Sequence, residues 1–172
     1  MSTISPHPER IYLFRHAQAV WPEPTMRDFE RPLSKRGVDD AAEIARRMKA
    51  AGYVPEVILS SSAMRCRQTA DAAYRALDRI PSCRFIDDFY QAAPVTYIEA
   101  ISDHADRQSV LICGHNPGIE ETLLMLVGYE AFNATCPYGF PTAGIAVLDH
   151  AGAQQEAGDG APEWKVTAFL AP

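Results

Sequence analysis

The chain has 172 residues, of which 47% are hydrophobic and 22% charged, and this is an ordinary composition for a globular domain with a substantial core. Its formal net charge of −6 argues against general nucleic-acid binding, because a phosphate backbone requires a cationic protein face. No apolar run approaches the roughly 18 to 20 residues of a membrane span, and residues 1–10 are too polar for a secretory signal peptide. We therefore expect one cytoplasmic domain over residues 1–172, with four reduced cysteines.

Apolar periodicity and the turn residues between apolar runs predict strands that alternate with helices. The strands are predicted at residues 10–14, 56–59, 83–86, 110–113, 144–148 and 164–170, and the helices at 34–51, 62–79, 94–102 and 117–127. Short, fully apolar strands are typical of a parallel sheet that is covered on both faces. The segment 150–162 is predicted to be an exposed connection between the last two strands.

A long loop follows the first strand. Residues 17–33 show no clear periodicity and contain three prolines. Loops of this length in compact domains are usually functional or disordered. The apolar side chains of Trp21, Met26 and Phe29 favour a packed lid or rim over a disordered segment.

Helical spacing of apolar residues assigns buried faces to the first two helices. The predicted stripes are Val38, Ala41, Ala42, Ala45 and Met48 in the first helix, and Ala63, Cys66, Ala70, Ala73, Tyr74 and Leu77 in the second. Ser34 is a suitable N-cap for the first helix, and the serines at 60–62 can cap the second. Asn116 is predicted to cap the fourth helix, with Pro117 at its first position and Gly128 closing it.

Three of the apolar strands end in cationic or imidazole side chains. Arg15 and His16 follow the first strand directly. Arg65 comes shortly after the second strand, and His115 follows the strand at 110–113. Ligands collect at the carboxyl ends of strands in open α/β sheets. If these strands are parallel neighbours, the four side chains converge on one pocket that suits a dianionic phosphate.

Each of these residues alone also has an ordinary structural interpretation. An isolated histidine is more often structural than catalytic. Arg65 lies off the apolar stripe in the first turn of a helix, where a solvated surface arginine is common. A cation there opposes the helix dipole, although a bound anion would reverse that balance. The coincidence at three strand ends favours a functional site.

The residue types in this pocket suit phosphoryl transfer. A neutral imidazole with one nitrogen pinned and the other free is a good nucleophile, so His16 would form a phosphohistidine that water then hydrolyses. Arg15 and Arg65 can bind phosphate oxygens bidentately, and His115 can donate a further hydrogen bond. No metal or other cofactor is required if the arginines neutralise the charge, and the sequence has neither a Walker loop nor an HExxH helix.

Four stretches of the chain resemble a known family, the histidine phosphatase superfamily. Its Arg-His-Gly signature is similar to LFRHA at 13–17, and its second motif, in which the first arginine binds phosphate, to SAMRCRQTA at 62–70. Its second histidine motif resembles GHNPG at 114–118, and the segment that opens its first helix resembles residues 28–37. The matches occur in order between about residues 11 and 148.

This resemblance implies the phosphoglycerate-mutase-like fold, an α/β domain built as a three-layer α/β/α sandwich with a mostly parallel central sheet. It implies His16 as the nucleophile and Arg15, Arg65 and His115 as the other core residues of the active site. Arg31, before the first helix, could reach the substrate or pair with an acidic residue.

Within the superfamily the chain looks similar to the small phosphohistidine phosphatases of the SixA type. The chain is short, little sequence separates the second motif from Tyr90, and FPTAGIA at 140–146 resembles a late segment of SixA-like sequences. The resemblance implies hydrolysis of phosphohistidine, with a phosphorylated protein as the partner.

The chain also departs from the family pattern. Ala17 replaces the glycine of the first motif, and Gln18, a candidate for substrate binding, stands where SixA proteins often have an acidic residue. We find no convincing match to the glutamate that mutases use as general acid. The remaining candidates for an acid are Glu23, Asp28, Asp87 and Asp88. A missing strong acid suits a phosphoramidate, since a protonated imidazole departs without much help.

Three functions stay open at this stage. The first is a phosphohistidine phosphatase, and the second applies the same chemistry to a small phosphomonoester such as a sugar phosphate or phospho-acid. The third is a non-catalytic phosphoprotein-binding module, against which His16 argues because such a module has no need of it. A broad cleft flanked by residues 17–33 would favour the first function. A deep pocket with extra basic residues from 129–142 would favour the second.

Overall fold

A computed structural model of the protein describes residues 7–152 and 163–172. The described strands are β1 (Arg10–Arg15), β2 (Val57–Ser61), β3 (Ser82–Ile86), β4 (Ser109–Gly114), β5 (Ile145–His150) and β6 (Trp164–Leu170). The α-helices are α1 (Lys35–Ala50), α2 (Met64–Ala76), α3 (Pro94–Ser102) and α4 (Gly118–Thr135). None of the helices described there is long and apolar enough to cross a membrane.

All six described strands belong to one sheet with the order β3-β2-β4-β1-β5-β6. The first four strands of this order run parallel to one another, whereas β5 pairs antiparallel with β1 and β6 antiparallel with β5. In the pairing of β1 with β4, Arg15 stands opposite Gly114. The residues that follow these two strands therefore emerge side by side at the same edge of the sheet.

Alternate side chains of the central strands belong to two separate cores. Tyr12 and Phe14 of β1 pack in a cluster with residues of α1 and α2. Ile11 and Leu13 pack in a second cluster with residues of α3 and α4. The sheet is thus covered on both faces by helices, which explains why its central strands β1, β2 and β4 are buried without alternation. The prediction of a three-layer α/β/α fold with a mostly parallel sheet is confirmed.

The buried face of α1 differs from the predicted stripe. Val38 is 50% exposed and Ala42 is exposed, whereas Gly37 and Ile44 are buried. The start of the helix packs directly on the preceding loop: a Cβ atom on Gly37 would lie 2.0 Å from the carbonyl oxygen of Gln18. This close approach sets the rotation of the helix. The predicted N-cap is confirmed, since Ser34 accepts a hydrogen bond from the backbone N–H of Gly37.

The predicted serine cap of α2 is wrong. Ala63 occupies the N-cap position, and no side chain there caps the helix. The three serines are buried, and their hydroxyl groups are engaged within the protein instead, as with Ser62, whose hydroxyl donates to Asp87 at 2.5 Å. The helix also ends at Ala76, before Asp78 and Arg79, which adopt positive φ angles.

The helix after β4 is longer than predicted and is capped differently. Pro117 is the N-cap residue, and the side-chain amide of Asn116 donates to Glu120 and to the carbonyl of Phe140 without capping the helix. Gly128, predicted to close the helix, interrupts it with a φ of 79°, but helical structure resumes and continues to Thr135. Residues 129–135 are therefore helical, although the predicted helix ends at residue 127.

The two ends of the loop over residues 17–33 pair with each other, and Phe29 within the loop contacts the rest of the domain. An isolated bridge pairs Ala19 with Leu33, and Phe29 packs edge-on against Tyr90 with ring centroids 5.1 Å apart. Trp21, in contrast, is 89% exposed, so its predicted role as an anchor is wrong. Most of the segment 150–162, predicted to be an exposed connection, lies outside the described residues.

Replacing Gly37 by alanine tests the contact between α1 and the loop. A glycine-to-alanine change within a helix ordinarily stabilises a protein by up to about 1 kcal/mol. Here the methyl group would collide with the Gln18 carbonyl, so we expect a loss of about 2 kcal/mol in the free energy of unfolding. Urea denaturation measures this, and Val38→Ala on the exposed side of the helix should change stability by less than about 1 kcal/mol. A stabilised Gly37→Ala variant would contradict the close approach.

Candidate active site

A cavity of about 580 Å³ lies where β1, β4 and the start of α2 meet. All six residues predicted to catalyse or to bind the substrate line it: Arg15, His16, Gln18, Arg31, Arg65 and His115. The loop over residues 17–33 contributes further wall residues, including Val20, Trp21 and Asp28. The predicted convergence of the four core side chains is thus present in the geometry.

His16 is held by its backbone and by its ring. Its N–H donates to the carbonyl of Gly114 at 3.0 Å, and its carbonyl accepts from the N–H of Ala143 at 3.2 Å. Nδ1–H of the ring donates to the carbonyl of Ala17 at 2.7 Å. Nε2 has no hydrogen-bond partner among the described residues. The ring therefore has the tautomer in which Nε2 carries the free electron pair.

The environment of His16 favours the neutral imidazole. Burial lowers its pKa to about 3, and the nearby charges of Arg65 and Arg15 act in the same direction. The turn that follows is also fixed, because the N–H of Ala17 donates to the Thr69 hydroxyl at 3.0 Å. That hydroxyl donates in turn to the carbonyl of Arg65 at 2.7 Å, which ties the turn to the first turn of α2.

His115 lies beside His16, with ring centroids 5.2 Å apart. Its backbone N–H donates to the hydroxyl of Tyr97 at 3.1 Å, and its Nε2 lies 2.8 Å from the hydroxyl oxygen of Ser61. Burial lowers its pKa to about 4, and the positive charge of Arg65 adds to the effect. Gly114 permits this arrangement, since a Cβ there would lie 2.3 Å from the Tyr97 hydroxyl.

Arg65 is a buried side chain, with only 4% of its surface exposed, so the interpretation as a solvated arginine is wrong. Its guanidinium donates to the carbonyl of Asp28 at 2.7 Å and to the carboxylate of the same residue at 3.0 Å. The Arg65 guanidinium also lies 5.9 Å from the ring centre of Tyr90. These contacts fix one side of the guanidinium and orient it within the cavity wall.

Asp28 joins the loop to the rest of the cavity. Its carboxylate accepts hydrogen bonds from Arg65, from Arg31 at 3.1 Å and from the hydroxyl of Tyr90 at 2.7 Å. Burial disfavours its ionised form, but these three donors outweigh that effect and lower its pKa to about 2. Arg31 thus forms the salt bridge that we considered for it, at 3.0 Å, while it also lines the cavity.

Arg15 is positioned through the segment that precedes β5. Its guanidinium donates to the carbonyl of Phe140 at 2.6 Å. The amide of Asn116 donates to the same carbonyl at 3.3 Å, and Glu120 accepts from the N–H of Phe140 at 2.6 Å. Burial lowers the pKa of Arg15, and the nearby negative charge of Glu120 opposes that shift. Glu120 therefore acts on Arg15 both through Phe140 and through its charge.

The other predicted residues have different placements. Gln18 lines the cavity, and its side-chain oxygen accepts from the hydroxyl of Ser34 at 2.9 Å. Of the four candidate acids, only Asp28 is among the described residues that line the cavity. Glu23, Asp87 and Asp88 lie outside it.

Sequence reasoning missed several residues of the cavity wall. Asn116, interpreted as a helix cap, lines the cavity together with Gln91 and Thr142. Its position directly after His115 was a usable signal, because a strand end that delivers one side chain to a pocket often delivers its neighbour. The contributions of Tyr97 and Glu120 had no such signal, since both act through tertiary hydrogen bonds.

Comparisons with known proteins agree with this geometry. Residues 11–89 match the family model described as histidine phosphatase superfamily, branch 1. An uncharacterised chloroplast protein of Arabidopsis thaliana is 32% identical over 173 residues, which covers 95% of this chain and 78% of that protein. The chain belongs to the histidine phosphatase superfamily.

Solved structures within this superfamily place the chain more closely. A protein described as a candidate phosphohistidine phosphatase SixA from Agrobacterium tumefaciens is 41% identical and superposes with a TM-score of 0.87, covering 96% of this chain and 99% of that one. A second candidate SixA, from Nakamurella multipartitia, is 25% identical with a TM-score of 0.76, covering 95% and 96% of the two chains. The predicted phosphoglycerate-mutase-like fold and the likeness to SixA are thereby confirmed.

The protonation state of the two cavity histidines can be measured directly. Because burial and nearby arginines lower the pKa of His16 to about 3 and that of His115 to about 4, both rings should stay neutral from about pH 8 down to about pH 5. Ring ¹⁵N chemical shifts, assigned with His16→Ala and His115→Ala variants, report this. A titration midpoint near the ordinary histidine value of about 6.5 for either ring would contradict the geometry.

Glu120→Ala tests whether this residue positions Arg15. The change removes the acceptor of the Phe140 N–H, so the carbonyl that orients Arg15 loses its support. We expect the affinity for tungstate, a tetrahedral oxyanion, to fall about tenfold in calorimetric titration. Glu120→Gln is the matched control, because it removes the same negative charge but keeps an oxygen that can accept from the Phe140 N–H, and it should bind tungstate at least as tightly as the unaltered protein. Equal affinities of the two variants would show that Glu120 has no such role.

Proposed function

We propose that the protein is a metal-independent phosphatase that hydrolyses phosphohistidine in proteins through a phosphohistidine intermediate on His16. The observation that carries this proposal is the state of that imidazole. Its Nδ1–H is committed to the Ala17 carbonyl at 2.7 Å, and its pKa is lowered to about 3. A neutral ring with a free Nε2, facing a cationic cavity at neutral pH, is prepared for nucleophilic attack on phosphorus.

The charges of the cavity suit a phosphoryl dianion. Arg15, Arg31 and Arg65 line it together with one carboxylate, Asp28, and two neutral imidazoles, which leaves an excess of two positive charges. In the proposed complex Arg15 and Arg65 bind the phosphoryl oxygens with the N–H groups that their protein partners do not use. The Ser61 hydroxyl can donate to Nε2 of His115, and that ring then carries its proton on Nδ1 and donates it to the phosphoryl group.

In the first step Nε2 of His16 attacks phosphorus, a new P–N bond forms, and the P–N bond to the substrate imidazole breaks. If the second nitrogen of the substrate ring carries a proton, the ring departs as neutral imidazole and no acid of the enzyme is required. The arginines stabilise the charge on the equatorial oxygens throughout the transfer.

In the second step water attacks the phosphorus of the phosphoenzyme. A P–O bond forms, the P–N bond to His16 breaks, and inorganic phosphate leaves, with the proton lost by water passing to the phosphate or to Nε2. The hydrogen bond from Nδ1 to the Ala17 carbonyl is kept in both steps, so the ring does not need to rotate.

The placement of the carboxyl groups supports a phosphoramidate over an ester. A phosphate ester needs an acid to protonate its leaving alkoxide. The carboxyl group among the described lining residues is Asp28, and three donors keep it ionised with a pKa of about 2. Such a group cannot donate a proton at neutral pH, which also argues against mutase activity.

A small phosphomonoester remains the second candidate substrate class. A third cation, Arg31, lines the cavity and could bind a second anionic group, although its pairing with Asp28 at 3.0 Å reduces its free charge. The segment 129–142, where extra basic residues would favour such substrates, contains no lysine or arginine. The name of the 41% identical relative, a candidate phosphohistidine phosphatase, also supports the first class.

We further propose that residues 1–172 form a single cytoplasmic domain. One sheet includes strands from Arg10 to Leu170, so the described chain shares its core from end to end. The cysteines at 66, 83, 113 and 136 are all free thiols, as suits a reducing compartment.

The proposal predicts the ranking of substrates. With a chelator present, phosphate release from a phosphohistidine-bearing protein domain should be faster than from p-nitrophenyl phosphate or sugar phosphates. His16→Ala should lower the rate on the order of a thousandfold or more, because no other nucleophile replaces the imidazole. Rapid quenching into alkali, in which phosphohistidine survives, should trap a phosphorylated protein only when His16 is present.

His104→Ala is the matched control, because this half-buried histidine lies outside the cavity and should be dispensable for turnover. Unchanged turnover in His16→Ala would rule out nucleophilic catalysis by that residue. Faster hydrolysis of the esters would instead identify a small-molecule phosphatase, and loss of activity with chelator would contradict metal independence.

A further inference from the structure

A second cavity, of about 490 Å³, adjoins the catalytic one. Its walls come from the end of α4, from the loop that leads to β5, and from β6 with the residues after it. Arg15 and Asn116 line both cavities, so the two share a wall. A ligand anchored by its phosphoryl group on Arg15 therefore lies next to the second cavity.

The chemistry of the second cavity is predominantly apolar. Its apolar lining residues are Cys136, Pro137, Phe140, Pro141, Phe169, Ala171 and Pro172. Its charged side chains, among the described residues, are Arg15, which already faces the phosphoryl site, and Glu120. A substrate with a second phosphate or a carboxylate would meet Glu120 and find no further cation there. An apolar side chain would instead contact the apolar lining residues of this cavity.

Each cavity also has an aromatic side chain in its wall that the folded chain leaves in solvent. Trp21 of the catalytic cavity is 89% exposed, and Tyr138 of the second cavity is 100% exposed. Tryptophan and tyrosine contribute strongly to protein–protein contacts because burial of their large surfaces is favourable. Their place beside the site where a phosphorylated side chain would enter indicates a polypeptide rather than a small polar metabolite.

We infer that the second cavity binds the polypeptide segment next to the phosphorylated histidine, with an apolar residue of that segment seated against Tyr138 and the half-buried Phe169. This inference rests on the proposed function and adds to it a preference among protein substrates. The phosphoryl group occupies the cationic cavity, the substrate backbone passes the shared wall at Asn116, and the flanking side chain fills the apolar cavity.

Short peptides separate the two proposals. Two peptides with one central histidine, flanked by leucines in one and by glycines in the other, are phosphorylated chemically on the histidine, and free phosphohistidine serves as the minimal substrate. We expect kcat/KM for the leucine peptide to exceed that for the glycine peptide about tenfold, equivalent to about 1.4 kcal/mol of binding in the transition state. Tyr138→Ala should reduce this ratio to about threefold or less.

Tyr129→Ala is the matched control, because this tyrosine is 72% exposed but lines neither cavity, and it should keep the tenfold ratio. Equal rates for the two peptides, with free phosphohistidine hydrolysed, would overturn the inference and leave the proposed function intact. The inference would also be overturned if Tyr138→Ala and Tyr129→Ala keep the same ratio. Failure to hydrolyse phosphohistidine in any form would overturn the proposed function and this inference together.

Discussion

The parallel pairing of β1 with β4 is the constraint on which the site depends. It sets Arg15 opposite Gly114, so the residues that follow the two strands bring two imidazoles to a centroid distance of 5.2 Å. No flexible segment has to fold over to bring them together, because both rings stand on the ends of strands that are buried on both faces. The relative position of the two imidazoles is thus set by the sheet.

Burial and ion pairing together set the protonation states of the cavity side chains. Burial lowers the pKa of both imidazoles and keeps them neutral. Protonated rings would each add a positive charge to a cavity that three arginines already line. Asp28 has the opposite behaviour: three donors keep it ionised in spite of burial, and it holds Arg65 and Arg31 in place. Protonation of His16 at Nε2 would remove the nucleophile, so the low pKa of that ring is part of the function that we propose.

Much of this structure could be predicted from residues close together in the chain. An apolar run that ends in Arg15 and His16 reports a buried strand and its functional end within one short stretch. The partner of Arg65 could not be predicted in this way, because Asp28 lies 37 positions away and only tertiary packing brings the two together. The prediction of the buried face of α1 was wrong for a similar reason, because helical periodicity does not report the contact of Gly37 with the preceding loop.

The backbone of His16 is fixed on both sides, by the carbonyl of Gly114 on β4 and by the N–H of Ala143 next to β5, while its ring is tied to Ala17. Proteins that relay phosphoryl groups between partners present the carrying histidine where a second protein can reach it. Here His16 is held in the wall of a cavity by its backbone and its ring, so a protein histidine that delivers a phosphoryl group to it would have to enter that cavity. Under the proposed function the carrying histidine does not move to its partner, and the side chain of the partner has to reach it.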